Sequence, residues 1–152
     1  MPAASPVVEL NHEEFVSQEA KFNAVSPRTL DRIASLTAQV FAAPLSAITL
    51  IDSGWCQSFD DRALSSYAML QKEAFVVLDP LGDARFQNHP LVTGGPGIRF
   101  YMAVPLVSRT GRVLGTLSVA DTKVRLYVLP AQRAALKDLA AIAVFELEHG
   151  GR

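Results

Sequence analysis

Apolar and polar positions along the chain first fall into a regular pattern after Ser26-Pro27. Leu30, Ile33, Leu36, Thr37, Val40 and Phe41 recur at helical spacing and predict a helix with one apolar stripe. Ser26 is its candidate N-cap, Pro27 suits its first position, and Pro44 ends it. Upstream, residues 1–10 read as a loose tail. A weaker helical segment follows, opened by Asn11 with Glu13 and Glu14 in its first turn, and carrying Phe15, Val16, Phe22 and Val25. The β-branched run 45–51, closed by Asp52-Ser53-Gly54, predicts a strand and a turn, with 55–59 returning as a second strand. A short helix over 63–70 and a third strand over 74–78 come next. A long polar, Pro/Gly-rich excursion then runs from Asp79 to Gly97, with one helical turn predicted over 83–87. Two strong strands, 98–107 and 113–120, are joined by a turn around Arg109-Thr110-Gly111. A long helix over 130–148 closes the pattern, with Leu136, Leu139, Ile142, Ala143 and Leu147 along one side.

Helix, strands and helix without βα alternation predict an antiparallel sheet with segregated helices, an α+β domain. At 152 residues the chain fits one domain with a substantial core, placed at 11–149 behind the tail. A net charge of −1 gives no electrostatic reason to expect nucleic acid or an anionic membrane as partner. No apolar run approaches the roughly 20 residues a membrane helix needs. The N-terminal Met-Pro-Ala-Ala-Ser-Pro has neither a basic region nor a following apolar stretch, so no secretion signal is read there and cytoplasm is the default compartment. The single cysteine, Cys56, excludes an internal disulfide.

The residues Ala84-Arg85-Phe86, Asn88, Pro90-Leu91-Val92, Gly97-Ile98-Arg99-Phe100-Tyr101, Ala103-Val104-Pro105-Leu106 and Gly115 through Asp121 resemble the GAF domains that precede bacterial histidine kinases and diguanylate cyclases. The resemblance covers 28–149. It implies a PAS-like fold: a central antiparallel sheet of five or six strands, first and last helices packed on one face, and the excursion over a pocket on the other. The implied contacts for a small-molecule ligand are Phe59, Tyr67, Asp79, Asp83, Arg85, Phe86, Arg99, Tyr101, Thr116 and Ser118. Three departures matter. The connection from Phe59 to Ala63 is shorter than in such relatives, which predicts a smaller, more open or collapsed pocket. Ser65 and Tyr67 stand where close relatives often carry cysteine and histidine. Val128-Leu129-Pro130 opens the last helix without a Ser or Asp cap, a loss of roughly 1 kcal/mol.

The chemistry within these segments is sparse. Arg85 either pairs with a carboxylate to fix the excursion or offers its fork to an anionic ligand, as could Arg99. Strand alternation would put Arg99 and Tyr101 on one face. Gly94-Gly95-Pro96-Gly97 lacks the Lys-Ser/Thr of a phosphate loop. His89 has no partner at ligand spacing, so no metal site is read there. Asp61, Ser65 and Ser66 lack a nearby histidine in sequence, and no catalytic constellation stands out. The resulting expectation is a non-catalytic sensory or regulatory module without a resident cofactor. It binds a small molecule, signals through a homodimer, or does both. The dimer would form through the first and last helices, with Ala134, Ala135, Ala140, Ala141 and Ala143 permitting close approach. The alternatives are a degenerate scaffold for protein–protein contact and, more remotely, a redox sensor or enzyme using Cys56. Whether the chain works alone or within a longer protein stays open.

Overall fold

In a computed structural model, residues 27–51 and 61–149 are described, together with the backbone of 56–57. The N-terminal tail, the helix predicted from Asn11, the Ser26 cap, Trp55, the Cys56 side chain and Phe59 lie outside the described residues. The elements are α1 (Pro27–Phe41), β1 (Leu45–Leu50), β2 (Cys56–Gln57), α2 (Arg62–Gln71) and β3 (Phe75–Val77), then a 3-10 turn (Pro80–Gly82) and α3 (Pro90–Thr93). β4 (Phe100–Val107), β5 (Val113–Asp121) and α4 (Pro130–His149) complete the domain. Every strand pairing is antiparallel, in the order β2-β1-β5-β4-β3. Four strands are three residues or longer, and β2 is a two-residue pairing at one edge. The predicted turn between the two longest strands forms with Gly111 at φ 87, where Ser108 N–H bonds the Arg112 carbonyl.

β4 and β5 sit at the centre of the sheet and are covered on both sides, so they read as nearly unbroken apolar runs. Phe100, Met102, Val104 and Leu106 of β4, with Leu117 and Val119 of β5, face α1 and α4. They pack there against Leu30, Ile33, Ala34 and Phe41 of α1 and Leu136, Ala140, Ala143 and Leu147 of α4. The alternate residues Tyr101, Ala103 and Ala120 face the opposite layer, built from Leu64 and Ala68 of α2, Phe86 and Val92 of the excursion and Ile98 just after it. The helix pair therefore lies on one face and the excursion on the other.

Both long helices carry more apolar surface than the sheet uses. In α1, Leu36 and Val40 belong to the predicted stripe but are exposed, and Ala34 joins the core instead. In α4, Ile142 is exposed and Ala140 is buried. The uncapped start expected for α4 is corrected by a longer reach: Gln132 Oε1 accepts the Leu129 N–H at 3.1 Å, one half of a capping box. The same side chain donates through Nε2 to the Val40 carbonyl at 3.4 Å, tying α4 to the end of α1. Arg125 adds a second tie. Its guanidinium pairs with Asp121 at 2.6 Å and lies 5.1 Å from the Phe100 ring centroid.

Gly115 is required by a close approach between strands, not by its own dihedral angles. A Cβ there would overlap the Thr49 carbonyl of β1 and touch Leu50 Cα at 3.0 Å. Both obstacles are backbone of the neighbouring strand and cannot rotate away. Gly115→Ala is expected to destabilise the protein by about 2 kcal/mol, although the same change in an open strand would help. Urea denaturation checks this: the midpoint should fall while the slope is kept.

Candidate functional site: a buried carboxylate on the sheet

Asp61 immediately precedes α2, the position at which an aspartate ordinarily caps a helix. Its backbone carbonyl does start the helix, accepting the N–H groups of Leu64 and Ser65 at 2.8 Å. Its side chain makes no capping bond. The carboxylate turns into the protein and is fully buried against the sheet. Thr49 Oγ1 of β1 donates to Oδ1 at 2.8 Å. Tyr101 Oη of β4 and Ser118 Oγ of β5 both donate to Oδ2, at 2.6 and 2.5 Å. One side chain thus gathers hydroxyls from the three longest strands.

The register explains why those hydroxyls meet. Thr49 is opposite Thr116, Ser118 is opposite Ala47 and Ala103, and Tyr101 is opposite Ala120. All lie on the face turned to α2, within a layer otherwise aliphatic and aromatic. Thr116 shares that face and is fully buried, yet its Oγ1 has no hydrogen-bond partner among the described residues. A buried hydroxyl left unpaired costs about 1–3 kcal/mol.

The other candidate residues are placed as follows. Tyr67 of α2 stacks on Phe75 at 5.2 Å and meets Phe86 edge-on at 5.2 Å. Arg85 lies over this group, its guanidinium carbon 5.6, 5.2 and 5.0 Å from the ring centroids of Tyr67, Phe75 and Phe86. Its fork is engaged by Asp83, with Nη2 to Oδ2 at 2.7 Å and Nε to Oδ1 at 3.0 Å. That bond, chiefly, holds the Asp83 carboxyl below the usual carboxylate range and raises Arg85. Asp79 is exposed before the 3-10 turn. Arg99 precedes β4 and does not join Tyr101 on the sheet face. Its Nη1 donates to the Val92 and Ile98 carbonyls, each at 2.9 Å, and so fixes the end of the excursion. His89 caps α3, its Nδ1 accepting the Leu91 N–H at 3.1 Å. Tyr101, Thr116 and Ser118 are thus brought together, whereas Asp83, Arg85, Phe86 and Tyr67 form an aromatic and ionic group that meets Tyr101 through Phe75, 6.5 Å from it between ring centroids.

Asp61 and Thr49 were not among the ligand-contact candidates. Asp61 looks like an ordinary helix cap and Thr49 like an ordinary strand residue. Only their shared partners, 12 to 57 residues away, reveal them.

Beneath the excursion Phe86, Val92, Ile98 and Tyr101 pack in one apolar cluster, all at most 1% exposed. A groove of about 790 Å³ instead lies beside α4, bordered by Lys72, Arg109, Lys137, Phe145 and Glu148. It contains none of the ten predicted contacts.

One antiparallel sheet, with a helical pair on one face and a short helix and ordered excursion on the other, defines a single-sheet α+β domain. The GAF domain family matches residues 27–147, and the chain belongs to that family. Over 150 residues it is 28% identical to a cyclic di-GMP phosphodiesterase of Pseudomonas aeruginosa, covering 91% of this chain and 26% of that protein. The chain therefore spans about a quarter of that relative's length. Among solved structures it is similar to the GAF domain of a phosphoenolpyruvate-protein phosphotransferase from Coxiella burnetii. The TM-score is 0.67 and the identity 13%, over 88% of this chain and 90% of that one. The blue-light absorbing form of the Thermosynechococcus elongatus PixJ GAF domain matches with a TM-score of 0.58 and 14% identity, over 91% and 89% of the two chains. Among the described residues no helix is long and apolar enough to cross a membrane.

Removing the carboxylate takes away the acceptor that Thr49, Tyr101 and Ser118 share. Asp61→Ala is expected to cost on the order of 3 kcal/mol in chemical denaturation, and Asp61→Asn, which keeps an acceptor, less. Thr116→Val removes an unpaired hydroxyl at nearly constant shape and is expected to leave stability unchanged or raise it by about 1 kcal/mol. A loss comparable to that of Asp61→Ala would show that Thr116 is bonded after all.

Proposed function

We propose that this chain is a non-catalytic sensory or regulatory GAF module that transmits its state through a homodimer formed by α1 and α4. The carrying observation is the apolar surface these helices leave uncovered. Leu36 is 48% exposed on α1, and Ile142 and Phe145 are 51% and 60% exposed on α4. Val40 lies one turn beyond Leu36, and Ala134 and Ala141 are exposed on α4. Ala140 and Ala143 are consumed by the protein's own core, so close approach between protomers would rest on Ala134 and Ala141. Apolar side chains in such a cluster favour a packed partner, and a shift of one helix pair against another is an efficient way to pass on a binding event. The resemblance of the chain to about a quarter of a cyclic di-GMP phosphodiesterase supports a regulatory role beside an effector.

A second reading, a GAF scaffold that binds partners without a ligand, is favoured by the apolar cluster packed under the excursion. A thermal-shift screen with nucleotides, amino acids and tetrapyrroles separates the two, since a scaffold stays silent throughout.

Light scattering tests the dimer. The expected mass is twice the 16.4 kDa of one chain, falling to the single value in Phe145→Asp and Ile142→Asp. A wild-type protein that stays monomeric at high micromolar concentration removes the reading.

A further inference from the structure

The hydroxyls of Thr49, Tyr101 and Ser118 converge from three strands on one point in an apolar layer, and a carboxylate occupies it. Its two oxygens take three donors, the way a receptor for a free carboxylate would hold its guest. The carboxylate comes from outside the sheet, carried in on the residue that opens α2. The helix gains no side-chain cap from it. Thr116, opposite Thr49 on the same face, adds a fully buried hydroxyl that Asp61 leaves unused.

We propose that this face of the sheet is a receptor for a small monocarboxylate, occupied by the chain's own Asp61, and that a free carboxylate binds to Thr49, Tyr101 and Ser118 once that side chain is withdrawn. The fourth hydroxyl, on Thr116, is a donor that a guest slightly larger than the aspartate group can use. A guest that displaces Asp61 also removes the anchor between the start of α2 and three strands, so occupancy is coupled to the placement of α2. The proposal names the ligand chemistry for the ligand-binding half of the function above and does not depend on pairing of α1 with α4. An Asp61→Ala protein that dimerises but ignores formate removes only the receptor, and one that binds formate as a monomer removes only the pairing.

The test is chemical complementation in the full chain. Asp61→Ala deletes a group the size of formate, and Asp61→Gly deletes one the size of acetate. Thermal unfolding of each is followed against formate, acetate, chloride and neutral acetamide at matched ionic strength. Formate is expected to raise the melting temperature of Asp61→Ala saturably, by roughly 4 °C at tenfold excess over its dissociation constant. Acetate should do the same for Asp61→Gly, while wild type and Asp61→Asn, whose sites stay filled, respond no more than to chloride. Adding Ser118→Ala to Asp61→Ala should weaken the formate response at least tenfold. If either deletion is unfolded in plain buffer, its matched carboxylate must restore the native circular dichroism, and continued unfolding overturns the proposal. So does a response shared with chloride or acetamide, or one of equal size in Asp61→Asn.

Discussion

A strand buried on both sides has no solvent face on which to place a residue without consequence, and β4 and β5 are two such strands in register. Away from their ends, where Val107 is exposed, the apolar residues along them alternate between the helical core and the layer under the excursion. This requirement fixes the sheet more firmly than any single contact, because a one-residue slip would exchange the two populations wholesale. It also forces Gly115, where β1 and β5 approach too closely for a side chain. The same requirement gives Tyr101, Thr116 and Ser118 their importance. Hydroxyls in a doubly covered strand cannot turn to water and must be satisfied within the protein.

The two faces meet that demand differently. The helical face is almost purely apolar, and its polar ties lie at the periphery, where Arg125 and Gln132 reach backbone carbonyls at the end of α1. The opposite face carries two polar groupings, one buried and one at the surface. Asp61 answers three hydroxyls, and Arg85 rests on three aromatic rings with Asp83 holding its fork. Both charged side chains come from connections, not from strands.

Much of this was legible in the sequence. The apolar runs read as strands at 98–107 and 113–120, the turn at Gly111 and the long last helix follow from local pattern, and the excursion motif carried the family. Asp61 was not legible as a hub because its three partners lie 12, 40 and 57 residues away, and each is an ordinary strand residue where it stands. Arg99 misled for the opposite reason. Strand alternation grouped it with Tyr101, but the ladder begins at Phe100, and the guanidinium turned back to carbonyls that only the folded excursion provides. The stripes on α1 and α4 were visible, but which apolar residues the sheet would use depended on the helices' rotation about their axes.

The brevity of the link between β2 and α2 has a kinetic and evolutionary meaning of its own. Only residues 58–61 separate Gln57 from Arg62, so Asp61 is held beside its hydroxyls at a high effective concentration. A longer link would dilute that concentration gradually, roughly as the −3/2 power of its length, without changing one residue of the receptor. Loop length would then set how readily an outside molecule competes with the aspartate. Insertions at this point are thus a route by which the same sheet could pass between a sealed scaffold and an open sensor.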